Sequence, residues 1–145
     1  MFRGQYSYFL DDMGRIAIPA KLRKEFKPEA QKTIIVVKGF SKCIDLYPLD
    51  EWKKIEEKLL QLNTFNELHT KFIRMVSSNV TERKMDNQAR IVLPKNLLEY
   101  AQIEKEVMII GALKKIEVWN PKVFDDYLKN TPETYEEIAA KVMVF

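Results

Sequence analysis

Asp11-Asp12-Met13-Gly14-Arg15-Ile16-Ala17-Ile18-Pro19-Ala20-Lys21-Leu22 returns 75 residues later as Asp86-Asn87-Gln88-Ala89-Arg90-Ile91-Val92-Leu93-Pro94-Lys95-Asn96-Leu97. Asp, Arg, Ile, Pro and Leu recur at the same places, and an apolar residue recurs at 18 and 93. Further on, Cys43-Ile44-Asp45-Leu46-Tyr47 matches Lys115-Ile116-Glu117-Val118-Trp119 at an offset of 72, so the second copy is three residues shorter in between. Trp52 and Phe124 follow at equivalent places. Repeated order of this kind means two similar units that share a core. The reading divides the chain into a first unit (5–50), a helical connector (51–76), a second unit (77–122) and a helical tail (123–145).

Within each copy the residues predict short strands, a short helix and two more strands. Gln5 to Leu10 and Arg15 to Ile18 are strands joined by a tight turn in which Gly14 is free to take a positive φ. Pro19 ends the second strand and a helix covers Ala20 to Phe26. Ile34 to Val37 is a continuous apolar run, hence a buried strand. Ile44 and Leu46 alternate with their neighbours, hence a half-buried one. The second copy repeats this over Ser78–Met85, Arg90–Leu93, a helix near Lys95–Ala101, Val107–Ile110 and Ile116–Trp119. Its turn carries Ala89 in place of glycine, which predicts a tighter or differently shaped backbone.

Helices fill the rest. Trp52, Ile55, Leu59 and Leu62 form one apolar face. Thr64-Phe65-Asn66-Glu67 reads as a capping box opening a second helix to about Val76. Phe124, Tyr127 and Leu128 mark a shorter helix. Thr131-Pro132-Glu133 reads as the cap of a tail helix with Tyr135, Ile138 and Val142 on one side. Its apolar end, through Phe145, is expected to fold back on the core or to be buried against another subunit. The fold class is α+β.

Composition narrows the function. Of 145 residues 46% are apolar and 31% charged, as in ordinary globular proteins. The longest run free of polar residues, Val107 to Leu113, is far shorter than the ~20 a membrane helix needs. The polar N-terminus lacks a signal-peptide core, so a cytoplasmic location is expected. A single cysteine, Cys43, and a single histidine, His69, exclude an internal disulfide and most histidine- or cysteine-built metal and acid–base sites. No glycine-rich phosphate cradle is present. The acidic pairs Glu56/Glu57, Asp125/Asp126 and Glu136/Glu137 sit on helices where neighbours point apart. An enzyme therefore has no constellation behind it, and neither metal nor cofactor is expected.

The net charge of +3 hides alternation: residues 1–42 carry nine cations and four acids, 43–70 three and six, 71–95 six and two, 96–145 six and nine. The basic blocks hold the repeated turns. An Asp that flanks a tight connection can orient the following Arg by a charge-assisted hydrogen bond. That is either a structural ion pair or a reading head, since arginine reads guanine in the major groove and a two-stranded ribbon fits there. Two such turns in basic company favour recognition. The candidates are Asp11 and Arg15, Asp86 and Arg90, with Arg3, Lys21, Arg23, Arg83, Lys84 and Lys95 as phosphate contacts.

At Met1-Phe2-Arg3-Gly4 and the two Asp-x-x-x-Arg turns the chain resembles the MraZ family of bacterial transcriptional regulators, over nearly its whole length. The resemblance implies two AbrB-like units packed as a pseudo-twofold swapped-hairpin or double-psi barrel with flanking helices. It implies a ring-shaped homo-oligomer, associated with the nucleoid, that binds double-stranded DNA at short direct repeats upstream of the division and cell-wall gene cluster. Asp11, Arg15, Asp86 and Arg90 would face the DNA. Met13 stands where the family usually has lysine, and Ala89 where it has glycine, so equal contact by the two copies does not follow. The alternative is an oligomeric interaction protein that binds an acidic partner and DNA only non-specifically.

Overall fold

The computed structural model describes residues 1–144. Strands β1 (Gln5–Phe9) and β2 (Arg15–Ala17) are followed by the short helix α1 (Ala20–Arg23), a 3-10 turn at Pro28–Ala30, and strands β3 (Thr33–Lys38) and β4 (Ile44–Pro48). Helices α2 (Leu49–Leu59) and α3 (Glu67–Ser77) lead to β5 (Thr81–Lys84), β6 (Arg90–Val92), α4 (Lys95–Tyr100), β7 (Glu106–Ala112) and β8 (Lys115–Trp119). Helices α5 (Pro121–Lys129) and α6 (Tyr135–Val142) follow. The fold is α+β, built on a large antiparallel sheet.

The expected β1–β2 hairpin does not form. Six strands make one sheet in the order β1-β7-β8-β4-β3-β5, and among the described residues β2 pairs only with β6, in a separate ribbon. Each Asp-x-x-x-Arg turn thus joins strands that leave for different partners. β1 pairs with β7 of the second half, and β5 with β3 of the first. The sheet is open, with β1 and β5 at its edges, so the strands do not close into a barrel. The strand order reads the same when each strand of one half is exchanged for its counterpart in the other. At the centre of that exchange lie Ile16 opposite Ile91 and Asp45 opposite Glu117.

The pattern follows from burial. Ile16, Ile18 and Leu22 of the first half and Ile91, Leu93 and Leu97 of the second enter one core with Ile34, Leu46, Val107, Ile109 and Ile116. Each such side chain contributes about 1.5–3 kcal/mol when removed from water. A second cluster seats Trp52 of α2 on Ile35 and Val37, on the face predicted by its helical spacing.

Several local expectations are corrected. β4 is buried rather than half-buried: Asp45 is 4% exposed and is held by the Lys115 ammonium at 2.9 Å, which also lies 3.2 Å from Glu117. Helix α3 is capped by Asn66, whose Oδ1 accepts from Leu68 and His69. Thr64 lies a turn earlier, where its carbonyl accepts the Thr70 hydroxyl. Helix α6 is capped by Thr134 in a capping box with Glu137, three residues beyond Thr131. The tail does not fold back: Tyr135, Val142, Met143 and Val144 stand 64–84% exposed, and Phe145 lies outside the described residues. Ala89 adopts φ 57° where Gly14 has 71°, so the two turns keep one shape and alanine accepts the left-handed backbone.

Candidate nucleic-acid interface

The two turns are built alike, atom for atom. Asp11 Oδ1 accepts the backbone N–H groups of Met13 (3.0 Å) and Arg15 (2.9 Å), while Oδ2 accepts Arg15 Nε at 2.7 Å. Asp86 Oδ1 accepts those of Gln88 (2.8 Å) and Arg90 (2.9 Å), while Oδ2 accepts Arg90 Nε at 2.9 Å. The N–H of Asp11 donates to the Arg15 carbonyl and that of Asp86 to the Arg90 carbonyl, 3.0 Å each. The aspartate thus caps the turn and clamps the arginine with the same carboxylate. Both carboxyls are held below their ordinary range, chiefly by the backbone N–H of the paired arginine.

The turns are stitched together. Leu93 N–H donates to the Gly14 carbonyl (3.0 Å) and Ile18 N–H to that of Ala89 (2.9 Å). In the β2–β6 ribbon Arg15 stands opposite Val92 and Arg90 opposite Ala17. Because side chains alternate across a strand, Arg15 and Arg90 share the outer face while Ile16 and Ile91 enter the core. Their side chains are 29% and 27% exposed. The clamp engages Nε in both turns, and Arg90 Nη1 lies 3.9 Å from Asp11 Oδ2.

The other candidates scatter. Arg3 sits at the far end of β1 from the Asp11 turn, beside the β7–β8 hairpin, on the order of 20 Å along an extended chain. Lys21 and Arg23 are exposed on α1, and Lys95 is exposed at the start of α4. Arg83 is spent internally, its Nε donating to the Val92 carbonyl (3.1 Å) and Nη1 to that of Glu82 (3.3 Å). Arg23 and Lys84 meet across a groove with Lys27 and Lys32. Those last two were not among the residues singled out from the sequence, and it is the α1–β3 connection that brings them to the groove.

Elsewhere the inventory is thin. Cys43, Asp45 and Glu117 are close enough to share a metal ion, but the Lys115 ammonium already pairs with both carboxylates. Burial raises the Cys43 thiol far above its ordinary value and deprives it of thiolate. His69 accepts the Asn63 N–H through Nδ1 at 3.0 Å, which ties down the turn before α3. No helix of the described residues is long and apolar enough to cross a membrane.

The model of the MraZ family, described as "MraZ protein, putative antitoxin-like", matches residues 1–75 and 77–144. The chain belongs to the MraZ family. The transcriptional regulator MraZ of Halothermothrix orenii is 42% identical over 97% of this chain and 95% of that protein. That of Syntrophomonas wolfei is 42% identical over 99% and 97%, and that of Carboxydothermus hydrogenoformans 38% over 100% and 99%. The MraZ family is consistent with an AbrB-like fold.

Proposed function

We propose that the chain is a sequence-specific, DNA-binding transcriptional regulator that reads the major groove with the β2–β6 ribbon. The observation that carries this is the pair Arg15 and Arg90 on the outer face of one ribbon, each aimed by its own aspartate. An antiparallel ribbon fits the groove, and an arginine held at Nε offers its terminal nitrogens to guanine O6 and N7. The relatives' name, transcriptional regulator, agrees with this reading.

The exchanged strands β1 and β5 support a swapped-hairpin relation between two AbrB-like units. A single ribbon makes few contacts, so affinity comes from several ribbons of a ring-shaped homo-oligomer engaging short direct repeats upstream of the division and cell-wall genes. The exposed apolar side of α6 is consistent with subunit contacts that assemble the ring. Bound in this way, the protein is associated with the nucleoid.

Fluorescence anisotropy tests the reading, with the duplex upstream of the protein's own gene against a shuffled duplex of equal composition. Specific readout gives a preference of about a thousandfold or more. Arg15→Ala and Arg90→Ala are expected to abolish the preference while sedimentation shows the assembly intact. Equal, weak, salt-steep binding to both duplexes would sink the proposal in favour of a protein partner. Loss of assembly in the arginine variants would make the clamp purely structural.

A further inference from the structure

The two halves differ beside the second turn. A groove of about 840 Å³ runs between the α1–β3 connection and the turn after β5. Arg23, Lys27, Lys32 and Lys84 line it over an apolar floor that includes Phe26 and Met85, with Asp86 at its edge. All four cations are exposed, and none is paired with an acid among the described residues.

The same place in the other half is different. The Met85 N–H donates to the Lys32 carbonyl (2.9 Å) as the Leu10 N–H donates to that of Lys105 (2.7 Å), which fixes Lys105 as the counterpart of Lys32. The offset of 75 makes Leu98, Gln102 and Phe9 the counterparts of Arg23, Lys27 and Lys84. Four cations facing one aspartate on one side thus become one cation facing two, Asp11 and Asp12, on the other. The second half also lacks two residues between the short helix and the following strand, where the first half builds its 3-10 turn. That insertion sets Lys27 and Lys32 along the groove wall. Gln31 and Lys32 both take positive φ (54° and 56°), a conformation kept only where the surroundings enforce it.

We infer that this groove takes the phosphodiester backbone of the DNA flanking the second turn, so that the ribbon binds its duplex with a fixed polarity. The inference rests on the DNA-binding reading above. Three exposed, unpaired lysines and one arginine lining a single groove suit phosphates, whose neutralisation releases counterions. Because the counterpart site is apolar and acidic, only one flank of each site receives this contact. A symmetric ribbon thereby acquires a direction on DNA.

The test is the salt dependence of binding by the full chain to the upstream duplex. The double variant K27Q/K32Q removes two ammonium groups that make no hydrogen bond or ion pair among the described residues, and thermal unfolding should confirm unchanged stability. The slope of log K against log salt is expected to fall by about two in magnitude, and binding to weaken equally for specific and shuffled duplexes. Lys105→Gln on the opposite side should change neither. An unchanged slope in K27Q/K32Q overturns the groove assignment alone. Absence of any DNA binding by the unmodified chain overturns the parent reading instead. Calorimetry with inorganic pyrophosphate separates the remaining source of phosphate. Tight binding lost in K27Q/K32Q, with the DNA slope intact, would assign the groove to a small phosphorylated ligand and overturn the inference.

Discussion

Arg90 Nη1 lies 3.9 Å from Oδ2 of Asp11, the carboxylate that clamps Arg15 in the other turn. The two turns are therefore one electrostatic unit, in which Asp11 faces both arginines. Removing Asp11 releases Arg15 and loosens Arg90, whereas removing Asp86 releases Arg90 alone. Asp11→Asn should therefore weaken specific DNA binding more than Asp86→Asn, measured by anisotropy against the upstream duplex. Equal effects would show that the turns act separately.

The same carboxylates give a pH dependence. Both have folded-state values depressed below the ordinary aspartate value, so their contribution is present above about pH 4 and lost as pH falls through the folded value. In urea unfolding at a series of pH values, the double variant D11N/D86N should be less stable than the parent at neutral pH. The difference should close as acidification passes through the depressed folded-state values. A difference that persists in strong acid would assign the loss to packing rather than to charge.

Gly14 and Ala89 occupy the same left-handed turn position. A Cβ at Gly14 would meet nothing closer than Leu98 Cδ1 at 4.0 Å. Gly14→Ala should therefore cost only the backbone conformational penalty, about 1 kcal/mol. Ala89→Gly should change stability by no more than ~0.5 kcal/mol, relief of strain being offset by added freedom of the unfolded chain. Chemical denaturation of both variants checks this, and a loss above ~3 kcal/mol at Gly14 would contradict it.

Gly111 is a different case. A Cβ there would fall on the backbone of Phe2 and Arg3, where the Gly111 N–H donates to the Gly4 carbonyl and Phe2 bridges to Leu113. Gly111→Ala should cost about 3 kcal/mol, at the upper end of overpacking. Thermal unfolding reads the loss, and protease cleavage near residues 1–4 should accelerate.

Lys115 holds the buried Asp45. Burial pushes the Asp45 carboxyl up even with the ammonium beside it, while its acidic partners hold the lysine above its ordinary value. Lys115→Met leaves Asp45 unpaired and should destabilise the protein by about 3 kcal/mol at neutral pH. The sign then reverses from that of the turn aspartates. With the Asp45 value raised further, the variant's stability should fall as pH rises above about 4. A variant that is most stable at neutral pH would show that Asp45 has found another partner.

The strands, the helix faces at Trp52 and Phe124, and the doubled turn could be read from local chemistry: apolar periodicity, proline and glycine placement, and recurrence. Helix caps were less legible. Thr64 and Thr131 carried the right residue types, but Asn66 and Thr134 stand immediately before the first helical turn, and competition among nearby cap formers is settled by packing. Asp45 looked like the solvent side of an alternating strand, because its lysine partner lies 70 residues away.

The sequence by itself determined that the chain carries two like turns, each with an aspartate placed to clamp an arginine. That clamp joins residues four apart in the chain, so local geometry suffices. Only the tertiary structure decided that β1 and β5 pair with the other half's strands, that β2 and β6 join the arginines on one face, and that Lys27, Lys32 and Lys84 meet in a groove. Those outcomes depend on contacts distant along the chain, chosen by how both halves bury their isoleucines and leucines in a single core, and such choices leave no mark on any one segment.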